Sequence, residues 1–331
     1  MIKERSETNT MESETVCETV IRILRKKIPE RGKLICFLSN LLHIEKEAVY
    51  RRLRYSVPFT FQEISTIVKE MNISLDHHLE IASTKKTFQI SLFDYKSPSD
   101  IDYAILSDFV ELLKAGADDP NSEYGYVSNV LPLSLTIAYP YILRFYLLKW
   151  MYQFGDPEVA LPFSHVYPTP QLTTIVNSFL EVTALFGYFY YIWDELTLVY
   201  LLNDISYFSR IRLIAPQEIE LIKSDILQML DDLEKTAISG MSPKGKRHHL
   251  YISNLNFESN YTRIITGENK FIQIRSFAVN NVILRDEQYF EKMSQWFFSL
   301  KKSSILISGS GEMQRIHFFD HQRNRVVNFV P

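Results

Sequence analysis

The spacing of apolar positions predicts a series of short helices between residues 18 and 81. The first runs from Glu18 to Ile28 and is stopped by Pro29. One apolar stripe then extends from Leu34 to Leu53 and breaks near residue 43, which predicts two helices joined by a tight turn. A fourth helix carries the apolar residues between 61 and 71, and a fifth opens at residue 74.

The outward face of the helix that follows the turn is polar and basic. It carries Lys46, Glu47, Tyr50, Arg51 and Arg54. Between residues 22 and 54 ten Lys or Arg stand against three acids, while the whole chain has a net charge of -3. Positive charge is therefore concentrated beside a helix pair whose shape fits the major groove of DNA.

Residues 18 to 82 resemble the helix-turn-helix of the phage-repressor (Cro-like) family. Ser39 matches the small residue inside the first helix of that motif, Leu42 and Ile44 match the apolar residues that flank its turn, and Val49 matches the buried position of its recognition helix. The resemblance implies an all-α DNA-binding domain that reads base edges in the major groove.

The same resemblance assigns roles to exposed side chains. Its base-edge positions fall on Lys46, Glu47, Tyr50 and Arg51, and a backbone-contact position falls on Arg54. Lys33 and Arg22 are further candidates for phosphate contacts, because both belong to the basic stretch.

Three positions depart from the family pattern, and two of them give specific expectations. The third is Ile35, which stands where a polar side chain usually contacts a phosphate. His43 stands where a turn glycine is usual, so the match predicts a left-handed backbone at a histidine. Arg52 stands at a position that is normally apolar, so we expect Leu53 to be buried in its place.

The remainder of the chain changes character twice. Ser99 is the expected cap of a strong amphipathic helix, an aromatic and mostly helical block follows, and a period of two after residue 249 predicts antiparallel strands. The predicted fold class is thus multidomain, with an all-α N-terminal domain, a mostly α-helical aromatic-rich region and an α+β C-terminal region. The predicted segments are a disordered arm (1–17), the helix-turn-helix domain (18–83), a linker (84–99), a helical regulatory and dimerisation region (100–240) and an α+β region (241–331).

The aromatic block between Leu131 and Ile214 has two interpretations. Interleaved Phe, Tyr and Trp side chains are typical of a packed core, and the same composition lines small-molecule pockets with few polar groups. Both interpretations stay open at the level of sequence, so an unidentified small-molecule ligand is a possible partner.

One helix from Pro216 to Lys235 carries a heptad-like apolar seam. The seam consists of Ile219, Ile222, Ile226, Met229 and Leu233. It indicates either a dimerisation helix or a helix that packs on its own domain. A dimer is attractive for a DNA-binding protein because two half-sites need a symmetric partner.

The sequence offers few candidate motifs for catalysis or metal binding. The sequence contains no nucleophile elbow, zinc-hydrolase helix or dinucleotide fingerprint, so we expect no enzyme, no cofactor and no catalytic residue. His317 and His321 lie one helical turn apart without an evident third ligand, so no metal site is predicted. Two cysteines exclude a disulfide scaffold.

The polar start of the chain has no apolar signal segment, which predicts a cytoplasmic protein. Tyr124 to Leu143 is uncharged but holds two prolines and several polar residues, so we expect no membrane span. These features together predict a DNA-binding transcriptional regulator that acts on double-stranded DNA as a homodimer. The alternative is a protein-interaction or scaffold protein whose helical module binds a protein partner.

Overall fold

The computed structural model describes residues 16–71, 73, 93–94, 98–154, 161–257 and 259–331, apart from the side chains of Lys26 and Phe277. The chain divides into two compact units, unit 1 (residues 1–88) and unit 2 (residues 89–331). Most of the predicted arm, most of the predicted linker and the helix predicted from residue 74 lie outside the described residues.

Unit 1 is a small helical body in its described part. Its helices are α1 (Val16–Lys27), α2 (Arg31–Leu42), α3 (Lys46–Leu53) and α4 (Phe61–Glu70). The apolar stripes meet in one core around Leu24, Leu38, Val49 and Ile67, all with 0% of their surface exposed. Four of the predicted helices thus form where the apolar periodicity places them.

Unit 2 is built on a mixed sheet. Its described strands are β1 (Glu123–Ser128), β2 (Tyr188–Asp194), β3 (Arg247–Ser253), β4 (Asn260–Thr266), β5 (Asn269–Phe277), β6 (Asn280–Leu284) and β7 (Ser304–Leu306). They pair in the order β6-β5-β4-β1-β2-β3-β7. The three strands β1, β2 and β3 are parallel, and the other neighbouring pairs are antiparallel.

Helices cover both faces of this sheet unequally. The described helices are α5 (Asp100–Lys114), α6 (Leu133–Thr136), α7 (Pro140–Phe154), α8 (Pro170–Thr183), α9 (Thr197–Arg210), α10 (Pro216–Ser239), α11 (Glu287–Ser303) and α12 (Glu312–Val327). Helix α11 packs on one face through Phe290, Phe297 and Leu300. The large core with α5, α7, α8, α9, α10 and α12 lies on the other.

The predicted boundary at residue 240 is wrong. Strands β1 and β2 lie inside the predicted helical region 100–240, and β1 pairs with β4 while β2 pairs with β3. Sequence periodicity missed both strands because they are buried on both faces, so EYGYVS and YFYYIWD show no alternation of polar and apolar residues. Residues on both sides of the predicted boundary therefore contribute strands to the same sheet.

The seam of α10 is part of the core of unit 2. Its five residues are each at most 6% exposed, with Ile222, Ile226 and Met229 at 0%. Helix α10 packs against α7 and α12, which supply the apolar partners of the seam. The seam is thus a packing surface within the chain, and the interpretation as a dimerisation helix is corrected.

The strand-rich segment begins slightly before the position at which the sequence periodicity changes. Strand β3 starts at Arg247, so His248 and His249 lie in the sheet rather than in solvent. The His248 ring packs 5.1 Å from the Phe189 ring and 5.4 Å from the Tyr191 ring, centroid to centroid.

Among the helices that the structure describes, none has both the length and the apolar character needed to cross a membrane.

Candidate nucleic-acid interface and ligand cavity

The turn between α2 and α3 is closed by His43 in a left-handed conformation, with φ 52° and ψ 41°. The Ser39 hydroxyl donates a 2.6 Å hydrogen bond to the carbonyl oxygen of Ile44, and the Ile44 amide donates back to the carbonyl oxygen of Ser39 at 3.3 Å. His43 therefore has the backbone that the resemblance predicted for it, which lets α3 start three residues later.

Arg52 and Glu63 explain how a charged residue occupies a position that is normally apolar. Arg52 Nε donates to Glu63 Oε2 at 3.1 Å, and Arg52 Nη2 lies 2.8 Å from Glu63 Oε1. Both side chains are only 14% exposed. Burial raises the pKa of Glu63, but hydrogen bonds from Arg52 and Thr60 outweigh it and hold that pKa below its ordinary value. The pair ties α3 to α4, and Leu53 is buried as expected.

Three of the four predicted base-edge residues are exposed on α3, and Tyr50 is the exception. Lys46, Glu47 and Arg51 are exposed. Tyr50 is partly buried because two guanidinium groups flank its ring, with Arg31 Cζ at 4.6 Å and Arg54 Cζ at 4.3 Å from the centroid. Tyr50 thus holds two cations beside α3. Sequence reasoning missed Arg31, because only the fold brings it next to Tyr50.

Several other basic residues of unit 1 are engaged within the unit. Arg25 donates to the carbonyl oxygen of Leu53 at 2.8 Å, and Lys27 donates to that of Met71 at 2.7 Å. Such contacts satisfy carbonyl groups at helix ends.

The predicted phosphate contacts differ in their surroundings. Lys33 forms an exposed pair with Glu30 at 2.7 Å, which solvent screens strongly, and Arg22 lies exposed on α1. Lys46 and Arg51 are exposed on α3, the helix that carries Tyr50. Together with Arg31, Tyr50 and Arg54 they are called the cationic face.

Unit 2 contains a cavity of about 310 Å³ between the sheet and helices α5, α7 and α8. Its walls are apolar and aromatic, with Phe109, Leu147, Trp150, Val176 and Phe179 among the lining residues. The aromatic block is thus a packed core that also borders a cavity, so both interpretations of its composition find support.

The floor of the cavity is the sheet, and there the lining is polar. Tyr126, Thr262 and Gln273 are successive cross-strand neighbours on β1, β4 and β5, so their side chains form one row on the same face. Arg275 lies two residues beyond Gln273, with its Cζ 6.0 Å from the centroid of the Tyr126 ring. Asn280 of β6 also lines the cavity.

Two of these floor residues carry buried polar atoms without a hydrogen-bond partner among the described residues. They are the Tyr126 hydroxyl and the Asn280 amide nitrogen, on side chains that are 4% and 3% exposed. Unsatisfied buried donors are rare in folded proteins, and a bound group that accepts a hydrogen bond is one explanation for them.

The other histidine and glycine positions near the C-terminal end do not form a metal site within the described residues. His317 and His321 lie exposed on α12, and the described residues contain no group of three or more potential metal ligands. The turn at residues 309–311 is held by Arg315, which donates to the carbonyl oxygens of Ile307 and Ser310 at 3.2 Å each.

Comparison of the chain with protein-family models, with curated proteins and with solved structures finds no match. Function is therefore inferred from the arrangement of residues in the two units.

Proposed function

We propose that the protein is a DNA-binding transcriptional regulator in which α3 of unit 1 enters the major groove. The observation that carries the proposal is the exposed cationic face of α3, which follows a tight turn in a compact four-helix arrangement. A short helix presented in this way has the dimensions and charge that groove binding requires.

The side chains of α3 have different roles in this proposal. Lys46 and Arg51 donate to guanine acceptors, Glu47 accepts from cytosine, and each good bidentate contact contributes about 1–3 kcal/mol of discrimination. Arg31 and Arg54 lie against Tyr50, which pre-orders their guanidinium groups for phosphate oxygens. Tyr50 thus positions cations in addition to any base contact of its own.

The regulator acts as a homodimer in this proposal, because paired half-sites match a two-fold protein. The seam of α10 cannot supply the contact between protomers, since its side chains are occupied inside unit 2. We therefore propose that another surface of the chain supplies the dimer contact.

A salt titration of DNA binding tests the proposal. The full chain should bind random duplex DNA with a steep dependence of the logarithm of affinity on the logarithm of salt concentration, because phosphate contacts release counterions. Arg51→Ala combined with Arg54→Ala should weaken binding and reduce that slope by about 1 to 2. Fluorescence anisotropy of a labelled duplex measures both quantities.

The matched control removes two positive charges from unit 2. Lys114→Ala with Lys235→Ala deletes two exposed lysines that pair with neighbouring carboxylates on their own helices. This variant should keep the affinity and the slope of the wild type. A wild type without salt-dependent DNA binding would contradict the proposal and favour the scaffold alternative, in which α3 binds a protein partner.

A further inference from the structure

We infer that the cavity of unit 2 is a binding site for an apolar organic acid, whose hydrocarbon body fills the space between the helices and whose carboxylate lies at the sheet near Arg275. This site is independent of DNA binding by unit 1. It concerns a different unit and a different kind of ligand.

The size and walls of the cavity fit a small organic molecule. Its volume of about 310 Å³ is at the lower end of the range for ligand sites, which is about 300–1,000 Å³. Helices α5, α7 and α8 contribute mainly aliphatic and aromatic side chains, so the body of the ligand must be apolar. A strongly polar ligand, such as a sugar, would lose its hydration without compensation.

Two polar groups at the floor have no hydrogen-bond partner among the described residues and can donate, which indicates an acceptor on the ligand. The Asn280 Oδ1 atom accepts a 2.8 Å hydrogen bond from the backbone amide of Phe93, so the orientation of the amide group is fixed. Among the described residues its nitrogen is consequently left as a donor without a partner, and the buried Tyr126 hydroxyl has none either. An oxygen of the ligand would satisfy these groups.

The positive charge of Arg275 indicates that the acceptor on the ligand is an anion. Its guanidinium group lies beside the Tyr126 ring, and no described carboxylate lies within 4.0 Å of it. Burial raises the pKa of Tyr124 and of Tyr146, and the positive charge of Arg275 acts against that rise at both residues. A guanidinium group next to unsatisfied donors is an arrangement that binds a carboxylate through charge-assisted hydrogen bonds.

Calorimetric titration of the full chain with decanoate and with decanol tests the ligand class. The two probes share an apolar chain and differ in the anionic head group. Decanoate should bind at one site per chain and about tenfold more tightly than decanol, because the head group gains a charge-assisted hydrogen bond. Arg275→Gln should remove this difference, while Lys270→Gln, an equal change of charge on the same strand outside the cavity, should preserve it.

A second variant separates ligand binding from structural effects. Tyr126→Phe deletes a hydroxyl that has no hydrogen-bond partner in the described part of the chain, so urea unfolding of the free protein should show equal or greater stability. The same variant should weaken decanoate binding several-fold and decanol binding less, because a neutral hydroxyl accepts a weaker hydrogen bond than a carboxylate does. A merely structural role of the hydroxyl would lower stability and affect both probes alike.

The inference is overturned by any of three results. These are absence of decanoate binding to the wild type, equal affinities for decanoate and decanol, or unchanged decanoate binding by a folded Arg275→Gln variant. Circular dichroism establishes that each variant is folded. Loss of DNA binding by α3 variants has no bearing on these outcomes, so the two proposals can fail separately.

Discussion

Gly125 illustrates how one residue can determine the packing of a sheet face. It lies opposite Tyr190 on the neighbouring parallel strand, and a Cβ atom at Gly125 would lie 2.1 Å from the Tyr190 ring. The ring is fully buried, and the Nζ atom of Lys301 lies 3.3 Å from its centroid, so a shift of the ring would disturb the groups packed around it. Glycine is required at this position because the ring lies across its backbone.

We expect Gly125→Ala to lower the free energy of unfolding of unit 2 by about 1–3 kcal/mol, the usual cost of overpacking. All three tryptophans lie in unit 2, so urea unfolding followed by tryptophan fluorescence reports on this unit. In a Tyr190→Ala background the same substitution should cost much less, because the opposing ring is absent. Additive costs would contradict this explanation.

His248 predicts a pH dependence with a defined sign. Burial, and next the charge of neighbouring His249, lower the pKa of His248 from 6.5 to about 4. Its Nε2 atom is buried without a hydrogen-bond partner among the described residues, so protonation would place an unpaired charge in the core. Between these two pKa values the unfolded chain binds the proton more readily than the folded chain.

The stability of unit 2 should therefore fall as the pH decreases from about 6.5 to about 4, with a contribution from His248 of about 3 kcal/mol. His248→Phe should abolish this part of the pH dependence, since a phenyl ring can pack against Phe189 and Tyr191 without titrating. Urea unfolding at several pH values measures the effect. His321→Gln, at an exposed position on α12, should leave the profile unchanged.

At the scale of residues, local signals were predictable and contacts between distant residues were not. Ser99 caps α5 as expected, because a cap needs only its own helix. His43 likewise follows from the turn in which it lies. The stacking of Arg31 and Arg54 on Tyr50, and the ion pair between Arg52 and Glu63, depend on helices brought together by the fold.

At the scale of elements, α10 shows how a seam can mislead. Its heptad-like spacing is compatible with two kinds of partner, a second chain or the rest of the same chain. Two neighbouring helices, α7 and α12, supply the partner in this protein. The sequence of one helix cannot distinguish these cases, because the apolar face is the same in both.

We expect Ile226→Asp to destabilise unit 2 by about 4–5 kcal/mol, because it places a carboxylate in a core position that is 0% exposed. Fluorescence-monitored urea unfolding measures the loss. Leu221→Asp is the control on the same helix, since that side chain is 40% exposed and its replacement should cost less than about 1 kcal/mol. A folded Ile226→Asp variant whose only change was a halved mass in sedimentation would restore the dimerisation role.

At the scale of the whole molecule, the prediction of an all-α segment followed by a region with both helices and strands agrees with the structure. The single sheet of unit 2 was not predictable in the same way. Its central strand, β1, pairs with β4, and these residues are separated along the chain by several helices. The cavity has the same origin, because its floor and walls come from segments far apart in sequence.

The pairing of β1 has a consequence for synthesis of the chain. As residues emerge from the ribosome, the helices of unit 1 can pack with near neighbours, whereas β1 must wait for β2 on one side and for β4 on the other. A nascent or truncated polypeptide that ends between residues 194 and 260 therefore has β1 with one open edge, and such an edge is a site for misassembly. Translation through β4 closes that edge.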